Sequence, residues 1–211
     1  EDARSVSQAL LPVTCAYHQI WVEGVELNLS DKPSEASVDP LYGKTYLPRK
    51  FKIAFAIPPL NDVDVFTNCL GFVAIGEGDR LLGYTLLAGG GLGMSHGNKE
   101  TFPRVADVVG FLKPEQIENV SRAVVTIHRD WGDRTNRKHA RLKYVLEDHG
   151  VEWFRNEVEQ RAGVKLEPAR SFKFTKQGDL FGWQKKIDGN YFLGLYVETG
   201  RIKDTDKHQL K

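Results

Sequence analysis

The residues best suited to chemistry lie in Leu47-Pro48-Arg49-Lys50-Phe51-Lys52, which runs directly into Ile53-Ala54-Phe55-Ala56-Ile57. Alternate side chains of a strand share a face, so Phe51, Ile53, Phe55 and Ile57 point one way and Lys50, Lys52, Ala54 and Ala56 the other. The large apolar set reads as core. The opposite set places two ammonium groups beside two small residues, leaving room for a flat ligand over the alanines with cations at its rim. Two like charges about 7 Å apart repel by ~2.4 kcal/mol at an effective dielectric of ~20 and by ~0.6 kcal/mol in water. Such a pair is therefore either solvated or facing an anion. On spacing alone, a wet edge strand with gatekeeper lysines reads equally well.

Two further segments could bind anions. Gly89-Gly90-Gly91-Leu92-Gly93, with His96, Asn98 and Lys99 behind it, would let backbone approach a ligand closely and turn amide donors toward negative charge. No Gly-Lys-Ser/Thr ends it and no helix follows, which excludes a P-loop and a dinucleotide fingerprint. A flexible exit from a sheet is the plainer alternative. Arg134, Lys138 and Arg141 fall at i, i+4 and i+7 and would share one helical face, where carboxylates or phosphates could dock on guanidinium forks. A solvated face balanced by Glu147 and Asp148 remains the alternative there. Other chemistries lack support. Cys15 and Cys69 carry no nucleophile signature, and six scattered histidines make no zinc spacing.

Composition sets the limits within which these segments act. The 211 residues carry 29 Lys+Arg against 28 Asp+Glu, a net charge of +1, so charge acts locally and specific nucleic-acid binding is not expected. Hydrophobic residues at 41%, with 20 Gly and 9 Pro, describe an ordinary globular chain long enough for a real core. The apolar stretches Phe51–Leu60 and Leu81–Ala88 are far short of the roughly 20 residues a membrane helix needs. Two cysteines permit at most one disulfide, which favours a reduced, cytoplasmic setting. The start at Glu1-Asp2-Ala3-Arg4 reads as that of a trimmed piece.

The elements that must position the candidate residues follow from periodicity. A helical lead-in is expected over Ser5–Pro12, a strand over Ala16–Glu23 and a loop over Asp31–Tyr46. Strands are expected over Phe51–Ile57, Leu70–Ile75 and Arg80–Leu87, the last two joined by the turn Gly76-Glu77-Gly78-Asp79. The chain should leave the sheet at the glycines. Helices are expected over 114–129, 136–149 and 151–162, with Gly150 and Gly163 as stops. A hairpin turns at Asp188-Gly189-Asn190, and two strands alone are marginal in water, so it reads as the start of another unit. The expected fold is α+β: a mixed or antiparallel sheet with helices packed on one side, plus an incomplete ferredoxin-like hairpin at the C-terminus.

In order and spacing, Thr45–Lys52, Ile57-Pro58-Pro59-Leu60-Asn61-Asp62, Gly89–Leu92, His96-Gly97-Asn98-Lys99, and Ala123–Thr126 with Arg129-Asp130-Trp131-Gly132 closely resemble the sirohaem sulfite/nitrite reductase family, in its sulfite reductase hemoprotein branch. The resemblance implies a central sirohaem and substrate-binding domain over 1–180 and a truncated second ferredoxin-like half from 181 to 211. It implies that the full-length protein reduces sulfite to sulfide with six electrons at sirohaem coupled to a [4Fe–4S] cluster. Lys50 and Lys52 would face the substrate. Arg49, Gly89, Gly90, Gly91, Asn98, Arg134, Lys138 and Arg141 would hold the cofactor's carboxylates. Phe51-Lys52 stands where plant-type nitrite reductases carry Trp-Asn, and a second cation suits a dianion, which favours sulfite over nitrite. The electron donor implied is an NADPH-dependent flavoprotein subunit or ferredoxin. Two cysteines fall short of four cluster thiolates, so the chain alone is expected to be inactive and to hold no cofactor. A nitrite reductase fragment and a cofactor-free binding module are the rival readings.

Overall fold

The computed structural model describes residues 1–13, 20–22, 25–27, 38–186, 188–200 and 202. Its centre is a four-stranded sheet in the order β3 (Ile53–Ala56), β5 (Leu70–Glu77), β6 (Arg80–Ala88) and β7 (Asp107–Leu112). Strand β3 pairs in parallel with β5, Ile53 opposite Leu70, and the other pairings are antiparallel. The β5–β6 turn falls at Gly78-Asp79, next to an irregularity between Ile75 and Gly76. Parallel neighbours require a crossover, and here it runs through the two-residue strand β4 (Leu60–Asn61) and a 3-10 turn at Val65–Thr67.

One face of the sheet carries the helices α1 (Asp2–Ala9), α2 (Ile117–Trp131), α3 (Leu142–His149) and α4 (Val151–Ala162). A 3-10 turn at Pro114–Gln116 leads into α2, with the proline at its start, where a missing amide costs nothing. Phe72, Leu86 and Leu112 from the strands meet Val124, Leu146 and Phe154 from the helices in the main core. The opposite face is closed without a helix. Ala54, Ala56, Val65, Val73, Leu87 and Ala106 form a smaller core capped by Phe66, Phe172 and Phe174. Beyond it, β4 pairs with β8 (Lys176–Gln177), and β9 (Gly182–Lys185) pairs with β10 (Tyr191–Gly194) as a separate hairpin.

The α+β class with helices on one side holds, with four differences in detail. First, Ile20–Val22 (β1) pairs with Val25–Leu27 (β2) in its own hairpin and takes no place in the central sheet. The rest of the expected 16–23 strand, and residues 31–37 of the expected loop, lie outside the described residues. Second, the fourth strand is Asp107–Leu112, whose unbroken apolar run Val108-Val109-Gly110-Phe111-Leu112 lacks the alternation of a half-buried strand. Third, the lead-in helix sits at Asp2–Ala9, three residues earlier than expected. Fourth, the expected helix over 136–149 begins only at Leu142. Asp133 Oδ1 accepts the amides of Thr135 and Asn136, and Asn136 Oδ1 accepts that of Lys138. These side-chain turns satisfy locally the donors a helix would use, and the chain stays irregular to Arg141.

Candidate active site

The Leu47–Lys52 segment precedes the regular strand and is held from below by the end of α2. Arg134 donates to the carbonyls of Thr45 at 3.1 Å, Tyr46 at 2.5 Å and Arg129 at 3.0 Å, pinning the loop that enters the segment. At Gly132 a Cβ would come 2.4 Å from Pro48 Cγ and 2.6 Å from the His128 carbonyl, so only glycine lets α2 end against this loop. His128 is wholly buried, 5.6 Å from the Phe51 ring, and its Nε2 lies 3.0 Å from the Ala140 carbonyl. A carbonyl only accepts, so Nε2 carries a hydrogen. Burial pushes its pKa down to about 4. One imidazole thus ties α2 to both the 45–52 segment and the 133–141 segment.

Arg49 and Lys50 line a cavity of about 670 Å³ between α1 and β3, with Phe51, Ile53, Phe55 and Val125 on its walls. Among the described residues neither cation has a hydrogen bond or ion-pair partner. Lys52 is half-buried elsewhere: its Nζ donates to the Thr67 carbonyl at 3.1 Å, on the side of the small core. An ammonium has three hydrogens, so two remain for another acceptor. The structure does not place the two lysines on one described wall. Nor is there an open platform over the alanines. Ala54 is 8% and Ala56 1% exposed, because Val65, Phe66 and Phe172 fill the space that small side chains leave.

Beside Lys52 lies Cys69, a free thiol 3% exposed. Burial pushes its pKa up, opposed by the Lys52 backbone and by the charges of Lys52 and Arg141. The glycine run closes over this group. Gly89 N donates to the Cys69 carbonyl, Gly90 N to that of Asn68, and Gly91 N to that of Arg104. These three amides are spent on backbone carbonyls, so the run serves close approach of chain to chain. A Cβ on Gly90 would stand 2.2 Å from the Phe66 carbonyl oxygen. Arg104 ties the strand exits together through Asp107 at 2.6 Å, Glu147 at 2.9 Å and the Gly89 carbonyl at 3.1 Å.

The i, i+4, i+7 argument for Arg134, Lys138 and Arg141 does not survive, since no helix spans them. Arg134 faces the 45–46 loop, and Lys138 is exposed. Arg141 stands at the residue before α3, its guanidinium 3.5 Å from where a Gly93 Cβ would stand. Asn98 closes a turn, its Oδ1 accepting the Glu100 amide. The structure thus brings Lys52, Gly91 and Arg141 to one side and Arg49 with Lys50 to another. Sequence reasoning missed Lys143, 1% exposed, whose signal was a lysine inside the apolar run Leu142-Lys143-Tyr144-Val145-Leu146.

The chain is 52% identical over all 211 residues to a "Sulfite reductase [NADPH] hemoprotein beta-component" of Shewanella sp. (strain ANA-3), covering 37% of that protein. A protein of the same description from Myxococcus xanthus is 54% identical over 199 residues, 94% of this chain and 34% of the relative. The chain therefore spans little more than a third of the length of these curated relatives. Among solved structures, the Mycobacterium tuberculosis NirA protein matches with a TM-score of 0.64 and 29% identity, over 74% of this chain and 28% of that one. Residues 2–166, which contain both cationic groups and the glycine run between them, match the family described as "Nitrite and sulphite reductase 4Fe-4S domain", and the chain belongs to that family.

Proposed function

We propose that this chain is the sirohaem- and substrate-binding part of a sulfite reductase hemoprotein, over residues 1–180, with 181–211 belonging to a second, ferredoxin-like half. The observation that carries the reading is the 52% identity across the full 211 residues to hemoprotein beta-components. The self-paired β9–β10 hairpin, with Trp183 and Tyr191 exposed, supports the division.

This reading implies two groups, a tetrapyrrole and an iron–sulfur cluster. Among the described residues no cluster of three or more His, Cys, Asp or Glu side chains could hold a metal ion, and Cys69 is the one described thiol. This does not fit a four-thiolate cluster, whose ligands must come from elsewhere in the protein. The cations do fit the carboxylates of a tetrapyrrole: Arg49 on the α1 cavity and Arg141 beside Gly93 are candidates to hold them. When bound, the tetrapyrrole iron supplies the route for electrons to sulfur. The chain's own part is charge and protons. Lys50 has all three ammonium hydrogens uncommitted among the described residues, and Lys52 has two. They would neutralise the oxyanion, donate hydrogen bonds to it, and hold protons for the departing oxygens.

Steady-state turnover of sulfite and nitrite by the full-length protein tests the reading. Sulfite should be preferred, and Lys50→Ala and Lys52→Asn should each lower sulfite turnover by roughly 100-fold or more with little loss of folding. Normal turnover in both variants overturns the lysine roles. A large preference for nitrite overturns the substrate. For the physiological electron donor we propose an NADPH-dependent flavoprotein, since the relatives are described as NADPH-linked.

A further inference from the structure

Lys143 sits in the first turn of α3, 1% exposed. No carboxylate pairs with it among the described residues. Its Nζ donates instead to three backbone carbonyls, those of Gly91 at 3.2 Å, Gly93 at 2.9 Å and Phe102. An ammonium has three hydrogens, and all are used. The Tyr144 and Phe102 rings lie 4.9 Å and 5.8 Å from the charge, and their faces replace part of the lost hydration. Burial and the nearby Arg141 charge push the Lys143 pKa down.

The three acceptors are informative in their spacing. Gly91 and Phe102 stand at the two ends of an excursion from the sheet whose residues 92–97 are exposed, beside the Gly91–Arg104 bridge. Gly93 lies within it, against Arg141. A buried charge without a counter-ion is costly, and its desolvation is offset only while all three carbonyls stay in place. Opening of the loop would break all three hydrogen bonds of one ammonium together, so Gly91, Gly93 and Phe102 are tied to a single point.

We propose that Lys143 is a positioning residue that clamps the 91–102 loop shut beneath the Arg141 guanidinium, so fixing one wall of the anion site. The clamp stands on this geometry alone, whereas its service to a cofactor rests on the reading of Arg141 given above.

The test uses the full-length protein with its tetrapyrrole. Lys143→Met keeps the aliphatic stem and removes the donors, and Lys143→Gln keeps two of them. Amide exchange is followed in peptides spanning 89–104 and in α2, and tetrapyrrole loss is followed by its absorbance. In Lys143→Met, exchange over 89–104 should rise at least tenfold while α2 is unchanged, and tetrapyrrole should dissociate at least tenfold faster. Lys143→Gln should fall between Lys143→Met and the wild type. Unchanged exchange over 89–104 overturns the clamp. A loosened loop with unchanged tetrapyrrole loss overturns the positioning role. Should Lys143→Met also lose protection in α2, Lys143→Gln decides by the same comparison. A wild-type protein that takes up no tetrapyrrole refutes the reading of the site, and the exchange comparison then still decides the clamp.

Discussion

Two basic segments meet near the top of the sheet, and they use their cations in opposite ways. In residues 49–52, Arg49 and Lys50 border a cavity without protein partners among the described residues, and Lys52 commits one hydrogen, to Thr67. In residues 134–143, Arg134 is spent on three backbone carbonyls and so is Lys143, while His139 lies 2.9 Å from Asp148. The first segment holds charge in reserve for something outside the chain. In the second, Arg134 and Lys143 use charge as a fastener on backbone carbonyls, and Arg141 is the cation proposed to face an outside anion. Counting lysines and arginines treats the two alike, whereas their acceptors separate them.

The sharpest way to break this contrast is to attack the packing that both segments share. Gly90→Ala forces a Cβ to 2.2 Å from a backbone oxygen at the joint between the glycine run and the crossover. It should cost more than about 3 kcal/mol in urea unfolding; a cost below about 1 kcal/mol would show that the run has slack. Next is the imidazole tying α2 to both segments. The folded state keeps His128 neutral to about pH 4, from an ordinary value of 6.5, so between those values the unfolded chain binds the extra proton. Stability from this group is full above pH 6.5 and is lost as pH falls toward 4, by roughly 3 kcal/mol. In His128→Gln, whose amide can still donate to Ala140, that part of the pH dependence should vanish, as measured by unfolding at pH 7 and pH 4.5.

Smaller effects sharpen the distinction within the second segment. Arg134→Ala removes three charged hydrogen bonds from an exposed side chain and should destabilise by about 1–2 kcal/mol. Proteolysis within 45–52 should quicken accordingly. Lys138→Ala, four residues on and exposed, should change unfolding by less than about 0.5 kcal/mol. Equal effects of the two would erase the difference between a fastening and a free cation.

What could be read from the sequence follows the same division. Strands β5 and β6 and helices α2 and α4 were legible because period and stop signals agree there, as at Pro114, Gly150 and Gly163. The 133–141 segment was not, because Asp133 and Asn136 act through side-chain hydrogen bonds that basic spacing does not reveal. The small side chains of the alanines on β3 suggest space for a ligand, whereas Phe66 and Phe172 arrive from elsewhere in the chain to fill it. Arg49, Lys50 and Arg141 could be named from composition and resemblance. Lys143 could not be separated from its neighbours until its three carbonyls were in view.

One further consequence comes from the junction of α2, α3 and α4. The Trp131 and Trp153 rings lie 5.1 Å apart, edge to face, and His149 is stacked 4.3 Å from Trp153. Two indoles this near couple their electronic transitions. The protein therefore carries its own optical gauge at the foot of the basic segment, readable as a circular-dichroism couplet without any label.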